Sequence, residues 1–382
     1  MKVVLFVRSL AVGGTERQVV HLANGLARRR HDVTLVMLYG GGAAEKDIDN
    51  QYVKVIDVQK RGRWDVLGPL WRLRQAIAAE RPDVLYAFLP MQNVLAALLR
   101  PFLPRTKLVF GARGSAFRIA AYDHLSAMSY RADAWLSHRA DAIIANSYSF
   151  LQAARRYAPG KVVIVPNGID VDRMCIDRDG KRRMRAVWNI GARAFVVGMV
   201  ARLDPMKDHA NFLAAAAQFA AAHADAHFVC VGGGDSGGYR GELETMARAL
   251  GLAERVSFIG EQSDLAPIYN AFDIGTLSSA YGEGFSNVIG EAMACGLPMA
   301  VTDVGDAARI VGPHGIVVPP GDPQRLSEAW GQLRQRQANE PNLAVAVRAH
   351  IVDRYSIESM VDKTERILTQ VCEGRPFAAD AA

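Results

Sequence analysis

Two acidic residues, Glu283 and Glu291, are separated by seven intervening residues in Tyr281-Gly282-Glu283-Gly284-Phe285-Ser286-Asn287-Val288-Ile289-Gly290-Glu291. The apolar run before this segment reads as a strand. The pattern after it reads as a helix opening near Ser286, a residue type suited to the N-cap. A helix start leaves its first amides without intrahelical partners. The backbone of Phe285, Ser286, Asn287 and Val288 can therefore bind a phosphate or the hydroxyls of a sugar. Glu283 falls in the loop ahead of this helix and Glu291 in its second turn. The two carboxylates cannot share one point, but both can touch one extended ligand, and carboxylates accept paired hydrogen bonds from diols. Taken alone, each reads as readily as a capping or solvated glutamate.

A second segment, Val200-Ala201-Arg202-Leu203-Asp204-Pro205-Met206-Lys207-Asp208, also follows a strand pattern and leads into a helix, with Asp208 as a cap. Arg202 offers a forked contact and Lys207 a point charge, and both could reach one diphosphate. Two cations on a leaving diphosphate supply stabilisation otherwise assigned to a metal. Two ordinary surface cations are an equal reading. Gly13-Gly14-Thr15-Glu16 follows the first strand, and its glycines let backbone approach a phosphate or sugar closely. Gly232-Gly233-Gly234 is similar but does not continue as G-x-G-x-x-G, which disfavours a dinucleotide cofactor. Arg113, in Gly111-Ala112-Arg113-Gly114-Ser115, could enter a ligand cleft or lie on the surface. Lys60-Arg61-Gly62-Arg63-Trp64 and Trp71-Arg72-Leu73-Arg74 mix cations with Trp, a mixture that suits lipid headgroups as well as it suits core packing.

Other chemistries are excluded by what the chain lacks. Its nine His show no H-E-x-x-H or other metal spacing, and neither G-x-S-x-G nor a P-loop occurs. The four Cys, at 175, 230, 295 and 372, form no C-x-x-C pair, so a zinc ribbon, a thioredoxin-type site and a disulfide scaffold are unsupported. With 50% hydrophobic and 22% charged residues in 382, the chain has apolar material for two sizeable cores, which excludes intrinsic disorder.

Positioning these residues requires two strand–helix series. Strand patterns at Lys2–Val7, Val33–Leu38, Val53–Val58, Val84–Phe88, Lys107–Phe110, Ala142–Ala145 and Val162–Val165 alternate with helical ones, the last of them at Ala121–Arg139. After the turn Pro166-Asn167-Gly168, the polar stretch Asp170–Arg185 reads as surface. A second series then runs from Phe195 to Gln337, followed by a helical tail at Ile357–Cys372 and a frayed end, Ala378–Ala382. The fold class is thus α/β, with two doubly wound Rossmann-like domains expected to face a cleft. Residues 1–168 form the first, 169–356 the second, and 357–382 a terminal helix and tail.

Charge is uneven. Residues 1–170 hold 24 basic and 13 acidic residues, a surplus of +11, against −5 in the remainder. This points the first half at an anionic partner (a membrane surface, a phosphorylated substrate or nucleic acid) or at a plain solvated basic surface. No run of about 20 apolar residues suggests a spanning helix, and Met1–Val7 is too short for a signal-peptide core. A cytoplasmic protein is expected.

In order, Gly13-Gly14-Thr15-Glu16-Arg17, Pro166-Asn167-Gly168-Ile169-Asp170, Arg202 to Lys207, Glu283 to Glu291, and Gly312 to Val318 with Pro319-Pro320-Gly321-Asp322-Pro323 resemble the family 4 retaining glycosyltransferases of GT-B fold. The resemblance spans about Lys2 to Leu368. It implies a nucleotide-diphosphate sugar, UDP- or GDP-linked, on the second domain. Arg202 and Lys207 would neutralise its diphosphate, Glu291 would hold the ribose hydroxyls, and Glu283 would lie near the donor sugar. The amides of Phe285–Val288 would contact sugar hydroxyls and phosphate, and Gly13 and Gly14 would close over the diphosphate. It implies a glycan or polyprenyl-diphosphate-linked acceptor on the first domain and transfer without a metal or other cofactor. It also implies a place at the inner membrane face, where a basic acceptor domain suits an anionic surface, and no role for nucleic acid. Several family members carry a His in the loop that matches Gly111–Ser115, a region where this chain has Arg113, so no acceptor-side catalytic His is assigned. A non-catalytic nucleotide-sugar-binding partner and a sugar-nucleotide epimerase are the alternatives.

Overall fold

The structure, a computed structural model, describes residues 1–11, 13–62, 65, 67–113, 124–158, 160–234 and 237–376. Strand β1 (Lys2–Val7) shows why a parallel sheet forms. Its Val3, Leu5 and Val7 enter one core and its Val4 and Phe6 enter another. Both faces are therefore apolar and covered, the condition for a buried parallel strand. Among the described residues β1 joins β2 (Asp32–Met37), β3 (Val53–Asp57), β4 (Val84–Phe88), β5 (Lys107–Ala112), β6 (Ala142–Ala145) and β7 (Val162–Ile164) in a sheet of order β3-β2-β1-β4-β5-β6-β7. Leu5 lies beside Leu35 of β2 and Tyr86 of β4. The second sheet is built the same way from β8 (Phe195–Val200), β9 (Ala226–Val231), β10 (Val256–Gly260), β11 (Ile274–Leu277), β12 (Met299–Thr302) and β13 (Ile316–Val318), in the order β10-β9-β8-β11-β12-β13. Each sheet reverses its strand order once, beside its first strand. That reversal is where open parallel sheets take ligands, at the carboxyl ends of the strands.

The chain divides into two compact units, Met1–Gly168 with the chain from Ile357 onward, and Ile169–Ser356. The terminal helix Ile357–Cys372 joins the first unit by packing on the helix Gly14–Arg28. The approach is close because Gly25 has no side chain: a Cβ there would come within 2.4 Å of Val361 Cγ2. Next to this contact Arg29 Nη1 donates to Glu365 at 2.7 Å, and His31 Nε2 lies 2.6 Å from the other Glu365 oxygen.

The expectation that Asp170–Arg185 is surface holds for most of the segment and fails at Met174, Gly180 and Arg185, which are buried. The segment runs into the helix Arg178–Val187, capped by Asp177, whose carboxylate accepts from the amides of Asp179 and Gly180 at 3.0 and 2.9 Å. Arg185 on that helix is buried. Its Nε donates to Ala271 O at 2.8 Å and its Nη2 to Asp273 at 2.6 Å, so the charge is paired where it is desolvated. Sequence patterning also passes over the helix Leu343–Tyr355, whose Leu343, Val347 and Ile351 complete a core of the second unit. Of the expected helix Ala121–Arg139, residues 121–123 lie outside the described residues, His124–Leu136 is helical and Ser137–Arg139 is a 3₁₀ turn. Arg63, Trp64, Gly114, Ser115, Asp235, Ser236 and the tail Ala378–Ala382 also lie outside the described residues. Among the described residues no helix is long and apolar enough to cross a membrane.

Candidate functional site

At the reversal in the second sheet, the loops after β8 and β11 are stitched together. Ala280 N donates to Met206 O at 2.9 Å, and Ser278 Oγ donates to the carbonyls of Lys207 and Asp208, both at 3.0 Å. The stitching brings Lys207 to Glu283: Nζ lies 2.5 Å from Oε1, with both side chains almost fully buried. Ser279 Oγ donates to the same Oε1 at 2.6 Å, and Thr302 Oγ1 holds the Ser279 carbonyl at 2.7 Å. The carboxylate is thus fixed by a cation and a hydroxyl, and the cation is aimed by the carboxylate.

Local chemistry sets the turn that presents Lys207. Asp204 accepts from Met206 N at 2.8 Å, Pro205 to Lys207 forms a 3₁₀ turn, and Asp208 adopts φ 51°, ψ 54°. From there Asp208 accepts from Asn211 N at 3.1 Å and caps the helix His209–Ala222. Asp tolerates the left-handed conformation better than most residues because its short side chain bonds locally. Arg202, two residues past β8, is different. Its side chain is 70% exposed and its guanidinium lies 4.0 Å from Asp204, so it is a solvated cation at the rim. The glycine loop after β9 lies against this segment, where Leu203 N donates to Gly233 O at 2.8 Å.

The helix Asn287–Ala294 follows Glu283. Ser286 stands at its N-cap position with φ −86° and ψ 105°, but its side chain makes no capping bond, which corrects the expected role of the hydroxyl. The turn is instead closed from a neighbouring loop, where Asp306 N donates to Gly284 O at 3.1 Å. Gly305 permits this approach: it holds φ +64°, and a Cβ there would sit 2.6 Å from Glu283 O. Phe285 turns its ring into the core, 5.4 Å from Tyr355, leaving backbone as its contribution to any ligand. Asn287 and Val288 are half-buried in the first turn. Glu291, also half-buried, accepts from Tyr269 Oη at 3.0 Å. The sequence reading missed Ser279, Tyr269, Thr302 and the loop at Gly305–Asp306. Only the Ser278-Ser279 pair at the carboxyl end of a strand offered a signal.

In the first unit, Gly13 is the extended residue before the helix Gly14–Arg28 and accepts from Arg17 N at 3.3 Å. Gly14 is the exposed first residue of that helix. Arg113 follows β5 and is buried. Its Nη1 donates to Asn167 Oδ1 at 2.8 Å and its Nη2 to Tyr86 Oη at 3.4 Å. The reading of Arg113 as a surface arginine is therefore set aside.

Comparison with known proteins places both halves in one context. Residues 12–173 match the family described as Glycosyltransferase Family 4, and residues 194–336 the family described as Glycosyl transferases group 1. A D-inositol 3-phosphate glycosyltransferase of Corynebacterium jeikeium is 35% identical over 179 residues, 44% of this chain and 42% of the relative. D-inositol 3-phosphate glycosyltransferase 2 of Catenulispora acidiphila is 37% identical over 208 residues, 51% of this chain and 48% of the relative. The matches thus span about half the length of these curated relatives. Anabaena Alr3699/HepE in complex with UDP has a similar fold, with a TM-score of 0.82 at 24% identity over 97% of this chain and 100% of that one. The same protein has also been solved with UDP-glucose.

Proposed function

The chain belongs to the group 1/family 4 glycosyltransferases, with their GT-B fold, and from that premise we propose that it moves a hexose from a UDP-sugar to a glycan or lipid-linked acceptor, with retention at the anomeric carbon. The observation that carries this reading is the Lys207–Glu283 pair fixed at the sheet reversal, with Arg202 exposed on the same loop. The complexes of the fold relative with UDP and UDP-glucose support a uridine donor.

In this reading Arg202 and Lys207 take the donor diphosphate, where negative charge develops as the glycosidic bond breaks. Glu291, oriented by Tyr269, accepts the ribose hydroxyls. Glu283 and the amides of Phe285–Val288 hold the hexose, and Gly13 and Gly14 approach the donor with backbone. The acceptor hydroxyl forms the new bond at the anomeric carbon as the bond to the phosphate oxygen breaks, and its proton passes to that oxygen. Two cations supply the charge stabilisation that a metal would otherwise provide.

The acceptor is assigned to the first unit. One side of its sheet is covered by the helices Leu67–Glu80, Pro90–Leu99 and His124–Leu136, whose inner residues share one core. Trp71, Leu98, Phe102 and Trp135 lie exposed on these helices and the turn between them, and Arg74 stacks over Phe102 at 4.4 Å. Exposed apolar groups among cations, on a half with a surplus of +11, support peripheral contact with an anionic membrane.

The test is thermal unfolding with UDP, GDP, ADP and their glucose conjugates, with EDTA present. Selective stabilisation by UDP and UDP-glucose is expected, worth about 2.7 kcal/mol at a hundredfold excess over Kd. Arg202→Ala should weaken UDP at least tenfold while leaving the ligand-free midpoint unchanged, because the side chain is exposed. Stabilisation by none of the nucleotides would refute the reading.

A further inference from the structure

The carboxyl edge of the first sheet holds a second polar cluster. Arg113 follows β5 directly and is 7% exposed, and Asn146 follows β6 directly and is 6% exposed. Both donate to one atom, Asn167 Oδ1, at 2.8 and 3.3 Å. Phe88, the last residue of β4, lies under the guanidinium at 5.5 Å. The cluster is incomplete in two places: Arg113 Nε and Asn146 Oδ1 are buried without a hydrogen-bond partner among the described residues.

The partners of Arg113 among the described residues are neutral: an amide, a phenol and an aromatic ring. Burial also raises the pKa of Tyr86 above its ordinary value, so its hydroxyl is not a counter-ion. A guanidinium cannot shed its proton. A buried cation without an anion costs several kcal/mol, and proteins otherwise pair such charges. Backbone strain lies alongside. Leu89, one residue past β4, holds φ 77°, ψ 155°, costing a non-glycine residue about 1–3 kcal/mol, and its amide donates to Gly111 O at 3.1 Å on the strand that ends before Arg113.

We propose that Arg113 and Asn146, braced by Asn167, form an acceptor subsite for a phosphoryl group carried beside a free hydroxyl, as in a phosphorylated polyol or sugar. This rests on the glycosyltransferase reading and names the acceptor's chemical class. An anionic oxygen completes Arg113 Nε and neutralises the charge. A hydroxyl of the same ligand donates to Asn146 Oδ1. A phosphoryl group fits better than a single carboxylate, because its extra charge matches the basic surplus of this half.

The probes are inorganic phosphate and glycerol 3-phosphate, titrated into the full chain saturated with UDP, at constant ionic strength set with chloride. Saturation keeps phosphate from reporting on the donor site. Both probes should stabilise the wild type, and glycerol 3-phosphate should bind at least fivefold more tightly than phosphate. Asn146→Ala should erase that difference. Arg113→Met should abolish both responses while UDP affinity stays within twofold. Should Arg113→Met fail to fold, Asn146→Asp serves. It places a carboxylate beside the guanidinium, and should raise the ligand-free midpoint and weaken phosphate at least tenfold. UDP binding with no phosphate response, or a response unchanged in these variants, overturns the subsite and leaves the donor reading intact. Phosphate binding without UDP binding would refute the donor reading instead.

Discussion

Lys207 and Glu283 illustrate what one residue pair contributes. Each is legible in the sequence as a charged group after a strand, but a separation of 76 positions hides their contact. Because both are desolvated, removing one leaves the other buried and unpaired. Lys207→Ala is therefore expected to cost about 3–5 kcal/mol of stability as well as activity. Glu283→Gln keeps a polar group near Lys207 and Ser279 and should cost less. The double variant Lys207→Ala/Glu283→Gln should be more stable than the sum of the single losses predicts, by about 1–3 kcal/mol. Urea unfolding of the four proteins measures this. Single losses that add within about 0.5 kcal/mol would show that the pair does not act as a unit. Ser279 left only a weak signal in the pattern, since a serine after a strand has many ordinary uses.

At the scale of elements, the helix His209–Ala222 begins with a histidine that solvent does not reach. Both ring nitrogens of His209 lack partners among the described residues, and Tyr239 meets the ring edge-on at 6.3 Å. Burial, then the charge of Lys207, lowers its pKa from 6.5 to about 4. The unfolded chain protonates this group near pH 6.5 and the folded chain near 4, so the unfolded state binds more protons between those values. Stability from His209 is therefore present above pH 6.5 and falls as pH drops toward 4. The loss between pH 7 and pH 5 is about 2 kcal/mol. Asp133 acts in the opposite sense: burial pushes its carboxyl up to about 7, so its contribution fades as pH rises. The difference between wild type and His209→Phe isolates the histidine. The variant should lose less stability between pH 7 and pH 5, and equal losses in chemical denaturation would contradict the assignment. In the first unit, Gly25 sets how closely the terminal helix docks. Gly25→Val drives side-chain atoms into Val361 and should cost about 1–3 kcal/mol. A midpoint within 1 °C of wild type would show that the helix moves aside freely.

For the molecule as a whole, the basic surplus and the exposed rings of Trp71, Phe102 and Trp135 occur in the same half. The chain builds two separate parallel sheets and returns at Ile357 to finish the first unit, so a deletion from Ile357 onward would strip apolar cover from the first sheet. Flotation with vesicles containing phosphatidylglycerol should recover the protein, and vesicles of phosphatidylcholine alone should not. Trp71→Ala/Phe102→Ala should weaken recovery at least threefold. Binding should fall as salt rises, because each surface cation contributes about 1 kcal/mol that salt screens. Equal failure to float with both vesicle types would remove membrane contact from the proposal.

The sequence alone determined the two strand–helix series, because buried parallel strands need continuous apolar runs and helices need a 3.6-residue period. It also determined which charged and glycine-rich segments follow strand ends, and so where a ligand would meet them. It did not determine the helix at Arg178–Val187, since a charged surface pattern and a helix with one buried arginine look alike until Asp273 is brought beside it. Nor did it determine whether Arg113 was exposed, or that its neighbours would be Tyr86, Phe88 and Asn167. Strand order decides such contacts, because β4, β5 and β6 bring residues from distant stretches of the chain to one edge. Periodicity reports which face of an element is covered. Only the packed sheet decides which side chains meet there.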